Sequence, residues 1–110
     1  VKTITDWIQG IDFRKNRPVL SPDGALIIIH SDQAGGHGQL DLYVCKRDET
    51  GKWSELKNLG KLVNTASIEF NPRFSRDGQT IYFSRRADKI TDQPSRIHSI
   101  SRRLVDNLNI

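Results

Sequence analysis

The stretch Asn71-Pro72-Arg73-Phe74-Ser75-Arg76-Asp77-Gly78-Gln79-Thr80-Ile81-Tyr82-Phe83-Ser84 decides the fold. An Asp-Gly pair between β-rich runs is a strong hairpin signal, because glycine accepts the positive φ that a tight turn requires. An upstream stretch echoes it: Arg17-Pro18-Val19-Leu20-Ser21-Pro22-Asp23-Gly24-Ala25-Leu26-Ile27-Ile28-Ile29-His30. A fixed offset of 54 residues joins Pro18 to Pro72, Ser21 to Ser75, Asp23 to Asp77, Gly24 to Gly78 and Ile27 to Ile81. Repetition at one period marks copies of a single supersecondary unit.

Working outward, each copy reads as a run of short antiparallel strands. In the first, Val19-Leu20-Ser21 is a short strand and Pro22-Asp23-Gly24 turns the chain. Leu26 to Ser31 is a near-continuous β-branched run, the pattern of a strand covered on both faces. A glycine-rich loop, residues 32 to 39, follows. Leu40, Leu42 and Val44 then alternate with Asp41, Tyr43 and Cys45 as a third strand. A weaker fourth strand, from Trp53 to Asn58, carries the charges that suit a sheet edge. Leu59 to Ser67 connects the copies. In the second copy, Arg73 to Ser75, Thr80 to Arg86 and Arg96 to Ser101 are strands, and Leu104 to Leu108 is read as a fourth. The expected organisation is all-β: a lead-in over residues 1–13, helical or irregular with a strand around Trp7 as the alternative, a first four-stranded unit over 14–61 and a second over 62–110, in one structural domain. A small sheet cannot cover both its faces alone, so the two units are expected to stack.

Composition narrows the function classes. The net charge of +4 arises from 17 basic and 13 acidic residues, and the basic residues are scattered except at Arg85-Arg86 and Arg102-Arg103. Nucleic-acid binders concentrate basic charge on one face and interleave stacking aromatics; here the aromatics sit inside strand patterns, which argues against nucleic acid. No run approaches the roughly 18 apolar residues of a membrane span. The single cysteine, Cys45, forms no internal disulfide and is expected to be a buried thiol. The chain begins at Val1 and contains no methionine, which reads as a fragment or processed chain.

Taken together, Ser21-Pro22-Asp23-Gly24, Leu26 to Ile29, Ser31-Asp32, Gly35-Gly36, Asp41-Leu42-Tyr43-Val44, Gly51-Lys52-Trp53-Ser54, Leu59-Gly60, Val63-Asn64-Thr65 and Glu69 to Ser75 resemble the TolB-type, WD40-like β-propeller repeat. The likeness covers about residues 16 to 86, judged by unit-level pattern. The second unit departs from it, with Arg76 after Ser75 and Ser95-Arg96-Ile97-His98 in place of Asp-Leu-Tyr. The resemblance implies two four-stranded propeller blades, a protein-binding or scaffolding module without catalytic residues, and a bacterial periplasmic or envelope-associated setting. It also implies further blades, or a homo-oligomer such as a trimer of two-blade chains, since two blades cannot close a ring. Two alternatives stand beside it: a lectin-like oligomer that binds carbohydrate, which would need Tyr43, Trp53 or Tyr82 exposed where most of them are expected to be packed, and an accessory propeller of a serine hydrolase. The Gly-x-Ser-x-Gly elbow of such a hydrolase does not occur in the chain.

Candidate contact residues follow from the propeller reading. Glu69, Asn71 and Arg73, with Lys15, Arg17 and Val19 as repeat mates, precede or begin the innermost strand and are expected near the axial mouth. His37, in the glycine loop, is a further candidate. His30 and His98 are read as structural, having no metal-ligand spacing. Asp23, Gly24, Asp77 and Gly78 are read as turn formers, the aspartates accepting bonds from backbone N–H groups. Asp32 and Asp41 bracket the loop; calcium is conceivable there, but EF-hand spacing is absent, and no cofactor is expected.

Overall fold

A computed structural model describes residues 18–31, 40–61, 63–86 and 95–108. The lead-in, Lys15, Arg17, Asp32 and His37 lie outside the described residues. Among the described residues, seven strands form two antiparallel sheets. The first sheet contains β1 (Val19–Leu20), β2 (Leu26–Ser31), β3 (Asp41–Lys46) and β4 (Lys57–Asn58), ordered β1-β2-β3-β4. The second contains β5 (Ile68–Phe74), β6 (Thr80–Arg86) and β7 (Arg96–Ser101), ordered β5-β6-β7. The long β-branched and aromatic runs fall where the sequence places them: β2, β6 and β7 match their expected bounds.

The repeat is reproduced bond by bond at the two Asp-Gly turns. Ser21 Oγ donates to Asp23 Oδ1 at 2.6 Å, and Ser75 Oγ donates to Asp77 Oδ1 at the same distance. Each carboxylate oxygen also accepts from the backbone N–H two residues on, Ala25 at 3.1 Å and Gln79 at 3.0 Å. Each serine Oγ accepts from the first strand residue beyond the turn, Leu26 and Thr80, both at 3.0 Å. Gly24 and Gly78 sit at φ 76° and 74°, the left-handed region. A Cβ on Gly78 would stand 3.3 Å from Pro22 Cδ, so the two turns touch across the units.

These bonds hold both aspartates below the ordinary carboxylate range. The serine hydroxyl is the leading cause at each, with the N–H of Ala25 and the Arg102 guanidinium adding at Asp23 and the N–H of Gln79 adding at Asp77. A carboxylate with a lowered folded pKa stabilises the fold fully above its unfolded value, about 3.9. That contribution is lost as pH falls through the lowered folded values. The melting temperature is therefore expected to hold down to about pH 4 and to fall below it. Ser75→Ala is expected to return the Asp77 titration, followed by NMR, towards the ordinary range; an unmoved titration would show that the hydroxyl does not set it.

The sheets stack by opposite faces. Leu26, Ile28, Leu42 and Val44 of the first sheet join Ile81 and Phe83 of the second, with Leu59, Val63 and Val105, in one buried cluster. The alternate residues of the first sheet, Ile27, Ile29, Tyr43 and Cys45, form a second buried cluster with Trp53. Thus Ile27 and Ile29 point away from the partner sheet, while their repeat mates Ile81 and Phe83 point towards it. The two units are stacked head to tail rather than face to face. Both faces of β2 are covered, as its unbroken apolar run requires. Cys45 is buried within the second cluster, and burial pushes its thiol up to about 11.

The second unit does not end in a fourth strand. Residues Arg102–Asp106 form a short helix, α1. The cause is local: Ser101 is its N-cap and accepts from Arg103 N–H at 3.2 Å, satisfying one of the first-turn donors. Leu104, Val105 and Leu108 then fall on one helical face, with Val105 fully buried. Five residues make a marginal helix alone, and cross-unit contacts hold this one. Arg102 pairs across the units with Asp23 at 2.8 Å, and within the helix with Asp106 at 3.5 Å. Lys46 Nζ donates to the carbonyls of Asp106 and Leu108 at 2.9 and 3.1 Å, capping the helix C-terminus. The expectation of two four-stranded units is therefore corrected: among the described residues the second sheet has three strands, and the two sheets do not close a ring. The fourth strand of the first sheet is also shorter than read. Only Lys57 and Asn58 pair with β3, and Trp53 makes an isolated bridge to Arg47.

Candidate functional site

The first strands of the two units, β1 and β5, lie at neighbouring sheet edges, and an open hollow of about 320 Å³ forms between them. Val19, His30, Asn71, Pro72 and Arg73 line it. Val19 and Arg73 are repeat mates, so the hollow is built from equivalent positions of both units. Its second wall is a β-bulge. The pairing of β5 with β6 shifts register between Phe70 and Arg73, and Asn71 within the bulge takes φ 50°. Asparagine tolerates this left-handed backbone better than other non-glycine residues. The bulge aims the Asn71 N–H across the seam, where it donates to His30 Nδ1 at 3.2 Å. Bulges of this kind re-aim side chains and concentrate beside functional sites.

Arg73 stands at the rim, exposed. Its guanidinium carbon lies 5.6 Å from the centre of the Tyr82 ring, which is its cross-strand neighbour. Among the described residues no carboxylate pairs with it. Pro72 is buried behind it, and Val19 forms the apolar wall opposite. The hollow combines a guanidinium, an imidazole fixed at one nitrogen, and aliphatic surface.

Glu69, grouped with Asn71 and Arg73 by the sequence, does not reach this hollow. Its side chain is 0% exposed and pairs with Arg85 Nε at 3.1 Å. It also accepts from Thr65 N–H at 2.7 Å and Thr65 Oγ1 at 2.9 Å. Arg85 extends the clamp by donating to the Val63 carbonyl at 2.6 Å. Glu69 thus pins the connector between the units to the second sheet. Asn64 does the same for the first sheet. Its amide exchanges two bonds with Leu42, accepting from N–H at 2.7 Å and donating to C=O at 2.9 Å, as a strand partner would.

His30 is the site residue that sequence reading left out. It shares the even-numbered face of β2 with Leu26 and Ile28, which is the face turned towards the second sheet. His98 is structural: its ring stacks on Phe83 at 5.7 Å. Asp41 is buried and accepts from Asn58 Nδ2 at 3.0 Å. Among the described residues no group of three His, Cys, Asp or Glu is placed to hold a metal ion. A second hollow, of about 380 Å³, is lined by Lys46, Arg47, Asp48, Lys52, Trp53 and Ser54. Two of its polar side chains are engaged in the scaffold: Lys46 caps α1, and Asp48 accepts from the N–H groups of Thr50 and Lys52, both at 2.9 Å.

The chain matches no family model, and no curated protein or solved structure matches it. Among the described residues no helix is long and apolar enough to cross a membrane.

Proposed function

We propose that this chain is a non-catalytic protein-binding scaffold, built from two adjacent propeller-type units of the TolB kind. Its partners meet it at the hollow between the first strands of the units. The observation that carries this reading is the position of Val19 and Arg73, 54 residues apart in sequence, on the two walls of one cavity. In a ring of radially stacked sheets, equivalent strands surround a central channel; this hollow would be one sector of its mouth. Its volume lies at the lower end of ligand pockets, about 300–1,000 Å³, and suits one or two side chains of a peptide.

Head-to-tail stacking supports the same reading. Heterologous interfaces either close into rings or continue to add units. The outer face of the second sheet, where Ile97 is 66% exposed beside Tyr82 and Ser99, is the face on which a further unit would stack. That unit would come from a longer parent chain or from another copy. A bacterial envelope setting accompanies the family reading. The carbohydrate alternative draws less support: Tyr43 and Trp53 are buried, and Tyr82 is half-buried beside Arg73.

The test is selection of peptides that bind the chain, followed by mapping. Val19→Trp, which fills the hollow, and Arg73→Ala are expected to weaken the selected peptides tenfold or more. Lys61→Ala, on an exposed turn, is expected to leave them unchanged. Peptides that keep full affinity for both hollow variants would sink the assignment of this site.

A further inference from the structure

We infer that the hollow recognises a carboxylate of an acidic peptide, with Arg73 as the anchoring residue. The inference rests on the binding role proposed above and specifies its ligand class. Three observations carry it. Arg73 has no acidic partner among the described residues, and it lines the rim of the hollow. Its guanidinium lies within cation–π range of the Tyr82 ring, 5.6 Å from the ring centre. The hollow it lines also carries aliphatic surface from Val19 and Pro72, against which the stem of an acidic side chain and a small apolar neighbour can pack. A planar guanidinium with two parallel N–H groups matches a carboxylate bidentately. The small volume admits a side chain and its neighbour, not a folded domain edge. The occupant that fits is an extended peptide presenting Asp or Glu next to a small apolar residue.

The bulge supports this assignment. Asn71 at φ 50° places Arg73 and Tyr82 opposite one another after the register shift. Without the shift, the pairing after Phe70 and Ser84 would run on unbroken, and Arg73 would not oppose Tyr82. The strained residue is thus what seats the arginine over its aromatic shelf.

The probe is a fluorescent, capped peptide of alternating glutamate and alanine, with matched lysine–alanine and glutamine–alanine peptides, read by anisotropy. The glutamate peptide is expected to bind best. Arg73→Gln is expected to weaken it at least tenfold, the loss that follows removal of one charge-assisted contact. Arg73→Glu is expected to transfer preference to the lysine peptide. Lys61→Glu changes net charge equally at an exposed turn that does not line the hollow and is expected to have little effect. Circular dichroism of each variant checks that the sheets persist, which the exposure of Arg73 favours. Equal losses from Arg73→Glu and Lys61→Glu would reduce the effect to net charge and overturn the proposal. Displacement of the glutamate peptide by inorganic phosphate at equal concentration would do the same, marking a small-anion site. Binding of the glutamine peptide that is lost on Val19→Trp but kept on Arg73→Gln would retain the hollow as a binding site and discard the carboxylate. Failure of every peptide would discard both.

Discussion

Replacing Glu69 with alanine is expected to destabilise the chain by about 3–5 kcal/mol, the loss typical of removing one partner from a buried ion pair. The reason is the asymmetry of the clamp. Glu69 is fully buried, while Arg85 keeps 26% of its side chain in solvent. Deletion of the carboxylate leaves the Thr65 N–H without its acceptor and a guanidinium facing an apolar cluster, 5.4 Å from the Phe83 ring. Urea unfolding reads the loss as a lowered midpoint at unchanged slope. A loss under about 1 kcal/mol would place the pair with solvent-screened surface bridges and remove the connector clamp from the account.

Phe83→Ala is expected to cost a similar amount, about 3–5 kcal/mol for a buried phenylalanine. Phe83 is 2% exposed and belongs to the cluster that both units share. It also supports His98 and lies under Arg85. The informative reporter is Trp53, which sits on the far side of the first sheet, in the other cluster. In a Trp7→Phe background Trp53 is the only tryptophan and can be excited selectively at the red edge, so a shifted Trp53 transition shows that damage in the second unit unfolds the first. An unshifted transition would mean that the units fold independently. Ile97→Ala, on the exposed outer face, is the control and is expected to stay within about 0.5 kcal/mol.

Much of the scaffold was legible because its signals are local. Serine, aspartate and glycine at fixed positions dictate each turn, and the isoleucine run of β2 and the Thr80-Ile81-Tyr82-Phe83 run of β6 leave those segments little alternative. The helix α1 was missed although Ser101 carried its N-cap signal, because Leu104 and Leu108 also satisfy strand alternation over so short a segment. The spacing of Leu104, Val105 and Leu108 was the helical clue. The site was legible in part. The 54-residue offset brought Asn71, Arg73 and Val19 together, and the structure places all three on one hollow. Glu69 was misplaced because its fate depends on a long-range partner. Arg85 is its cross-strand neighbour, a relation visible only once the β5–β6 register is known. His30 was passed over for a related reason: which face of β2 turns towards the second unit is settled by packing, since both faces are equally apolar in sequence.

The central claim is that two copies of one sheet stack head to tail, so that repeat mates face opposite ways. Methyl and aromatic NOE spectroscopy in solution tests it most directly. Methyls of Leu26, Ile28, Leu42 and Val44 should show cross-peaks to Ile81 and Phe83, while those of Ile27 and Ile29 should connect to Trp53 and Tyr43. Cross-peaks from Ile27 or Ile29 to Phe83, with none from Ile28 or Val44, would contradict it.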